Sequence, residues 1–351
     1  MSNSTFDGAT VLVVGSGLLG TSVALGLTAQ GARVHLRDID PQNVAQAVGI
    51  GAGSSEPAVA PMLVVVAVPP SAVIEEACGV LAEFETAIVT DVASVKSPLA
   101  KAIDNPRFVG GHPMAGKERS GPLAASAKLF EGRPWAIVPH EGSAAEAIAV
   151  VEELVDVLGA VRVLMTPELH DEAVALVSHV PHLVSNLTAG LLTGATDEQM
   201  ILAGQGLRDV TRIARSETGL WVDIIGANAV PISDRLHELR DNLNELISIV
   251  DSDPVDVERV LTRGRAGTAS IPGKHGERPT DVVTVYVAID DEPGELARLL
   301  FDIGSVNVNI EDLRIEHEVG RPVGLIEVFV LPERADYLVD ALNSRGWTAY
   351  L

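Results

Sequence analysis

His112 lies in the stretch FVGGHPMAGKERSG, residues 108–121, between a short apolar strand pattern and a run of small residues. An imidazole titrates near neutral pH, so a histidine facing a cleft at a strand end is a candidate general base. Gly110 and Gly111 ahead of it let a substrate or cofactor approach the main chain, and Pro113 fixes the exit path. Ser94 sits on the loop leaving an earlier strand pattern, where its hydroxyl either faces the same cleft or bonds its own backbone. A basic cluster follows in SHVPH, where Ser178, His179 and His182 place two histidines three apart on one helix face. Arg208, Arg212 and Arg215 share a face if their stretch is helical. Anion recognition is the chemistry such groups suit, and a solvated, salt-bridged surface is the alternative. No HExxH or comparable ligand set accompanies the histidines, so no metal site is expected.

These residues need a scaffold, and the N-terminal pattern supplies one. TVLVV, residues 10–14, runs into GSGLLG and then into a helical pattern. Gly15 permits the tight turn, Gly17 lets a pyrophosphate reach backbone N–H groups at the helix start, and Gly20 lets helix and strand pack closely. Ser16, Leu18 and Leu19 belong to the same loop. A second strand, residues 33–36, ends near Asp38, at about the twenty-residue distance expected of the acid that binds an adenosine ribose. A carboxylate there bonds a 2′-hydroxyl and repels a 2′-phosphate, which favours NAD. Arg37 beside it either turns toward a 2′-phosphate, pairs with the adjacent carboxylates or stacks on adenine.

Further strand patterns, MLVVVAV, residues 87–90, PWAIV and VRVLM, complete a doubly wound sheet that closes near Met165. Ser97 and Pro98 read as the N-cap and first residue of a helix. Gly15, Asp38, Ser94 and His112 all fall beyond the carboxyl ends of strands, where ligands bind in parallel sheets. From Pro167 to about Arg265 the pattern is helical and apolar around most of the circumference, which calls for a partner surface and predicts a homodimer. Pro181 and Pro231 should kink or break these helices. GTASIPGKHGERPT reads as a linker, and beyond it the order strand, helix, strand, strand, helix, strand is ferredoxin-like. The expected class is α/β: a Rossmann-type domain over 1–166, an all-α domain over 167–266, a linker over 267–280 and a ferredoxin-like domain over 281–351.

The formal net charge of -23, without a basic stripe, argues against nucleic-acid and anionic-membrane partners. The longest apolar run, residues 62–68, is too short to span a bilayer and the N-terminus lacks signal-peptide character, so a cytoplasmic location is expected. The single Cys78, in a helical pattern, is expected to be a small buried apolar residue and cannot form an internal disulfide.

GSGLLG with Asp38, VTDVASVKSPL, FVGGHPMAGKERSG, SHVPH and LRDVTRIARSETGLW, in that order, resemble the prephenate dehydrogenase family, which includes arogenate dehydrogenases. DEPGELARLLFDIGSVNVNIEDLRI resembles an ACT domain, a small-molecule regulatory module. The resemblance implies that His112 is catalytic, that Ser94 orients the reacting hydroxyl, and that His182, Arg212 and Trp221 meet the substrate. It implies NAD-dependent oxidative decarboxylation of prephenate in tyrosine biosynthesis. Arogenate dehydrogenation is the alternative within enzymes, and a nicotinamide-responsive sensor without turnover is the alternative outside them. Lys117 stands where a small hydroxyl residue is usual, which bears on recognition of the substrate side chain. In the ACT-like part, Asp291, Gly294 and Asn309 are the expected contacts of an amino-acid effector, with tyrosine as the economical choice.

Overall fold

The structure is a computed structural model of the 351-residue chain and describes residues 5–116, 119–216, 218–252, 254–271, 281–317 and 323–351. Lys117 and residues 272–280 of the expected linker lie outside the described residues. The first sheet contains β1 (Thr10–Val14), β2 (Arg33–Arg37), β3 (Leu63–Val66), β4 (Ile88–Asp91), β5 (Phe108–Pro113), β6 (Pro134–Val138) and β7 (Val161–Leu164). Between them run α1 (Leu18–Ala29), α2 (Pro41–Gly49), α3 (Val73–Glu83), α4 (Ser97–Ala102) and α5 (Ala145–Val157). The order is β2-β1-β3-β4-β5-β6-β7. Alternate residues divide between two apolar cores: Val11, Val13, Leu63 and Val65 join one, and Leu12, Val14, Val64 and Val66 the other. Burial on both faces explains the unbroken β-branched runs of β1 and β3.

Pairing is parallel from β2 through β5, whereas β5 and β6 are antiparallel, so the sheet is mixed. After β2 the chain returns across β1 to lay down β3, which makes the β1/β3 boundary the switch point where a crevice opens at the carboxyl ends.

Beyond β7 the chain forms α6 (Pro167–Val174), a π-helical turn (Ala175–His179), α7 (Val180–Gly190), α8 (Asp197–Met200) and α9 (Gln205–Thr211). A 3₁₀ turn (Arg212–Arg215), α10 (Thr218–Ala227), α11 (Ala229–Ser252) and α12 (Val257–Thr268) complete the helical part. The expected linker start at 267 is therefore still helix. Each proline has a local signature. Pro181 lacks the N–H that an α-helix would aim at residue 177, and the wider π turn precedes it. Pro231 cannot donate to residue 227, and helix is interrupted at Asn228, between α10 and α11.

By contact, the described chain forms two compact units: residues 1–190 with 211–243, and residues 191–210 with 244–351. This division departs from the sequence segmentation, because α6, α7 and α10 pack with the first sheet's unit. In the second unit, β8 (Val283–Asp290), α13 (Glu295–Ser305), β9 (Asp312–His317), β10 (Val323–Val330), α14 (Pro332–Ser344) and β11 (Thr348–Tyr350) form the expected ferredoxin-like arrangement. Its sheet is antiparallel in the order β11-β8-β10-β9. Val285, Val287, Ile326 and Val328 face Leu299, Ile303, Leu338 and Leu342 in its core.

Two expectations need correction. Cys78 is exposed on α3, because the buried face of that helix falls to Val73, Ala77, Val80 and Leu81. Ser97 is the first residue of α4 rather than its cap, and the capping group comes from elsewhere in the chain. Among the described residues no helix is long and apolar enough to cross a membrane.

Candidate functional site

His112 is the penultimate residue of β5, with its side chain buried. Its Nδ1 lies 2.9 Å from Nε2 of His170, and Nδ1 of His170 lies 2.8 Å from Oδ1 of Asp171. These two contacts link the three side chains into one proton chain. A carboxylate accepts, so a neutral His170 carries its proton on Nδ1 and presents a bare Nε2. His112 must then donate from Nδ1, which leaves its own Nε2 without a proton and without a partner among the described residues. Burial, with His170, Lys96 and His179 nearby, pushes the His112 pKa well below its ordinary value of 6.5. At neutral pH the ring is therefore a neutral acceptor.

Asp171 anchors more than this chain. Its Oδ1 accepts from Lys96 N–H and its Oδ2 from Ser97 N–H, both at 2.8 Å, so this carboxylate caps the start of α4. Burial opposes ionisation, but the bonds from His170, Lys96 and Ser97 hold the carboxyl below its ordinary value. Lys96 in turn buries its ammonium against Oδ1 of Asp91, which also accepts from Ala93 N–H at 2.7 Å. The loop from Asp91 to Ser97 is tied at both ends, and Ser94 projects from it half-buried. Among the described residues the Ser94 hydroxyl has no partner, so it does not bond its own backbone.

Gly110 and Gly111 have a different reason from the one read in the sequence. A Cβ on Gly111 would stand 2.5 Å from the Asp91 carbonyl oxygen and 3.0 Å from Trp135 Nε1. One on Gly110 would stand 3.0 Å from the Val138 carbonyl oxygen and 3.1 Å from Lys96 Cδ. The pair makes room for the buried Lys96–Asp91 ion pair and the neighbouring strands rather than for a ligand.

The second cluster stands on the helices beyond the sheet. His182 stacks on Trp221 with ring centroids 3.5 Å apart and planes 3° apart, and His179 meets the same ring edge-on at 6.0 Å. Ser178 is half-buried in the π turn beside them. Burial lowers the His182 pKa and brings that of His179 down to about 4. The turn Arg212–Arg215 packs against α7, which carries His182. The α-helix ends at Thr211, so the three arginines do not share one α-helical face. Arg212 and Arg215 are exposed, as on a solvated surface, but make no ion pair among the described residues.

At the switch point, Gly15 has φ +97°, and a Cβ there would collide with the Ala67 carbonyl, as one on Gly20 would with the carbonyl of Gly15. Gly17, in contrast, opens on free space, no side chain caps α1, and the fully buried Ser16 hydroxyl has no partner. An uncapped helix start beside an orphaned hydroxyl and an open glycine fits a pyrophosphate, with Leu18 and Leu19 offering amides in the first turn. Asp38 accepts from Ser16 N–H at 2.6 Å and from Asp40 N–H at 2.8 Å, which holds it beside the loop. Arg37 donates to Glu83 through both terminal guanidinium nitrogens, at 2.8 and 2.7 Å, rather than to the adjacent carboxylates.

In the second unit, Gly294 caps α13 and follows Asp291 in an exposed turn. Asn309 precedes β9, which starts only at Asp312, and donates to Glu311 at 2.7 Å. Register separates these residues. Asp290 pairs with Val323, whereas Asp312 pairs with Phe329 and hence lies level with Thr284. Six residues of strand, about 20 Å, lie between the two ends. One module therefore does not bring Asp291 and Gly294 to Asn309.

His170, Asp171 and Lys96 are the site residues that sequence reasoning passed over. An adjacent His-Asp pair in the short helical stretch PELHDEAV is the signal that marks the first two. Among the described residues no group of three or more His, Cys, Asp or Glu is placed to hold a metal ion.

This geometry has counterparts. The nucleotide-binding domain of prephenate dehydrogenase matches residues 23–164, and the dimerization domain of prephenate dehydrogenase matches residues 166–262. The chain belongs to the prephenate dehydrogenase family. It is 33% identical to a protein of Streptomyces niveus named "Probable prephenate dehydrogenase NovF", over 97% of this chain and 99% of that one. A prephenate dehydrogenase of Aquifex aeolicus, solved with hydroxyphenyl propionate and NAD+, superposes with TM-score 0.67 at 29% identity, over 75% of this chain and 99% of that one. An arogenate dehydrogenase of Synechocystis superposes with TM-score 0.65 at 26% identity, over 74% of this chain and 98% of that one. As a family member the chain is an oxidoreductase with a Rossmann-type cofactor domain.

Proposed function

We propose that this dehydrogenase oxidises and decarboxylates prephenate to 4-hydroxyphenylpyruvate, with NAD as its cofactor. The chain Asp171–His170–His112 carries the reading, because it leaves a proton acceptor at His112 Nε2. The Gly15–Gly20 loop and Asp38 would hold NAD, which would supply the acceptor for a hydride from the carbinol carbon of the ring. His112 takes the hydroxyl proton as the carbon–oxygen double bond forms, and passes the resulting positive charge toward His170 and Asp171. Loss of carbon dioxide from the opposite carbon then returns its bonding electrons through the ring to that oxygen, which regains the proton as a phenol. Ser94 holds the hydroxyl, and Arg212 binds a carboxylate through its planar fork. Ser178, His179, His182 and Trp221 line the substrate end.

The Synechocystis relative keeps arogenate as the second reading, since the two substrates differ only where an amino group replaces the keto oxygen. Reduction of NAD and of NADP, each with prephenate and with arogenate, decides. Prephenate with NAD should give the highest kcat/KM, and a higher value with arogenate would replace the assignment. No NADH formation from either would leave a sensor.

Apolar side chains exposed on the helical part, among them Leu187, Val222 and Val230, support a homodimer. The ferredoxin-like part, residues 281–351, is read as an ACT module with an amino-acid effector, tyrosine first. Asp291 and Gly294 stand at the opposite sheet end from Asn309, which supports a pocket between paired modules. Removing residues 281–351 should abolish amino-acid inhibition while leaving turnover. Inhibition at full strength in the shortened chain would put the effector in the substrate cleft.

A further inference from the structure

Asn228 is 2% exposed, although it interrupts the helix between α10 and α11. Its Nδ2 donates to the Asp171 carbonyl oxygen at 2.9 Å and lies 3.1 Å from Nδ1 of His179. A peptide carbonyl can only accept, so the atom facing it is the amide nitrogen and not the amide oxygen. That nitrogen has a second hydrogen, and His179 Nδ1 must be the acceptor. The proton of a neutral His179 is then on Nε2, which has no partner among the described residues. His179 is itself 1% exposed, and burial lowers its pKa to about 4, so the ring is neutral at working pH.

We propose that Asn228 is a positioning residue that locks His179 as a hydrogen-bond donor at Nε2, opposite in polarity to the acceptor at His112 Nε2. The inference rests on the dehydrogenase reading above and deepens it. One residue, Asp171, sets both polarities: its carboxylate orients His170 and thereby His112, and its carbonyl oxygen orients Asn228 and thereby His179. The deprotonating group and the donor are thus held in register by a single turn of α6. An Nε2–H beside Trp221 and His182 suits a carbonyl or carboxylate oxygen, and it would repel an ammonium. That oxygen belongs either to the substrate or to the carboxamide of the nicotinamide ring. Pro231 contributes from a distance, since the missing N–H at that position accompanies the interruption that turns Asn228 inward.

Nitrogen-15 spectra of histidine-labelled full-length protein read the tautomer directly. His179, assigned by loss of its signals in His179→Gln, should be protonated on Nε2, and protonation on Nδ1 would overturn the proposal whether or not the protein turns prephenate over. Steady-state kinetics then test the coupling. Asn228→Ala and His179→Ala should each lower kcat/KM by about 10- to 100-fold, and the double variant by no more than the stronger single one. Effects that multiply in the double variant would make Asn228 a packing residue. A rise confined to KM for prephenate identifies the substrate as the source of the oxygen, and one confined to KM for NAD identifies the nicotinamide. Asn228→Asp, which can only accept unless protonated, should move the His179 proton to Nδ1 and fail to restore either constant. An unchanged tautomer in that variant would count against the proposal.

Discussion

Replacing His170 with phenylalanine keeps a ring in a fully buried position but removes the acceptor for His112 Nδ1–H, 2.9 Å away. That N–H is then either unpaired in the interior, at a cost of about 1–3 kcal/mol, or avoided by moving the proton to Nε2. The second outcome places a hydrogen on the nitrogen that must accept one. The imidazolium formed in the reaction also loses its link to Asp171, a charge-assisted contact of about 1.5–3 kcal/mol. Together these make a loss of roughly 10²- to 10⁴-fold in kcat, the range expected for removing a positioned base. Folding should suffer much less, because Asp171 keeps its bonds from Lys96 N–H and Ser97 N–H. The assay is initial NADH formation at saturating prephenate and NAD, with NAD affinity and thermal midpoint measured on the same preparation. Turnover within threefold of the parent enzyme, in a protein that binds NAD normally, would refute the proton chain.

His112→Asn should reduce kcat by a similar roughly 10²- to 10⁴-fold while NAD affinity, followed by fluorescence titration, stays near that of the parent. Gly111→Ala should lower stability by about 1–3 kcal/mol in denaturant titration, since its methyl group would meet the rigid Asp91 carbonyl at 2.5 Å; an unchanged midpoint would show that β4 and β5 can part. Asp38→Ser should narrow the preference for NAD over NADP by about tenfold or more, equivalent to roughly 1.4 kcal/mol, and an unaltered ratio of kcat/KM values would place the ribose elsewhere. Acid should destabilise the fold through His179: its pKa is about 4 when folded and 6.5 when not, so the unfolded chain binds more protons between these values. Stability should be full above about pH 6.5 and fall by roughly 3 kcal/mol toward pH 4, and His179→Gln should flatten that slope in urea titrations.

Local pattern determined a good deal of this protein. The β-branched runs, the glycine loop with Asp38 and the β-α alternation are features of neighbouring residues. They mark the Rossmann sheet, the cofactor loop and the ferredoxin-like module without any knowledge of packing. His112 was legible for the same reason, as a histidine at a strand end in a glycine-rich context. What the pattern could not carry was the partner of each polar group, because hydrogen bonds inside a fold join residues far apart in the chain. Arg37 is paired with Glu83, 46 positions away. His112 is oriented by a residue 58 positions on, and Lys96 N–H is capped from 75 positions on. The glycines before His112 looked like an opening for ligand and proved to be clearance for a buried ion pair, since only the assembled sheet puts Asp91 and Lys96 against them. Asn309 and Asp291 read as contacts of one pocket, commonly formed between paired modules, and strand register sets them at opposite ends of a single module's sheet. Residue type and spacing decided which chemistry was available, and tertiary packing, through burial and the requirement that buried donors meet acceptors, decided which atom carries the proton.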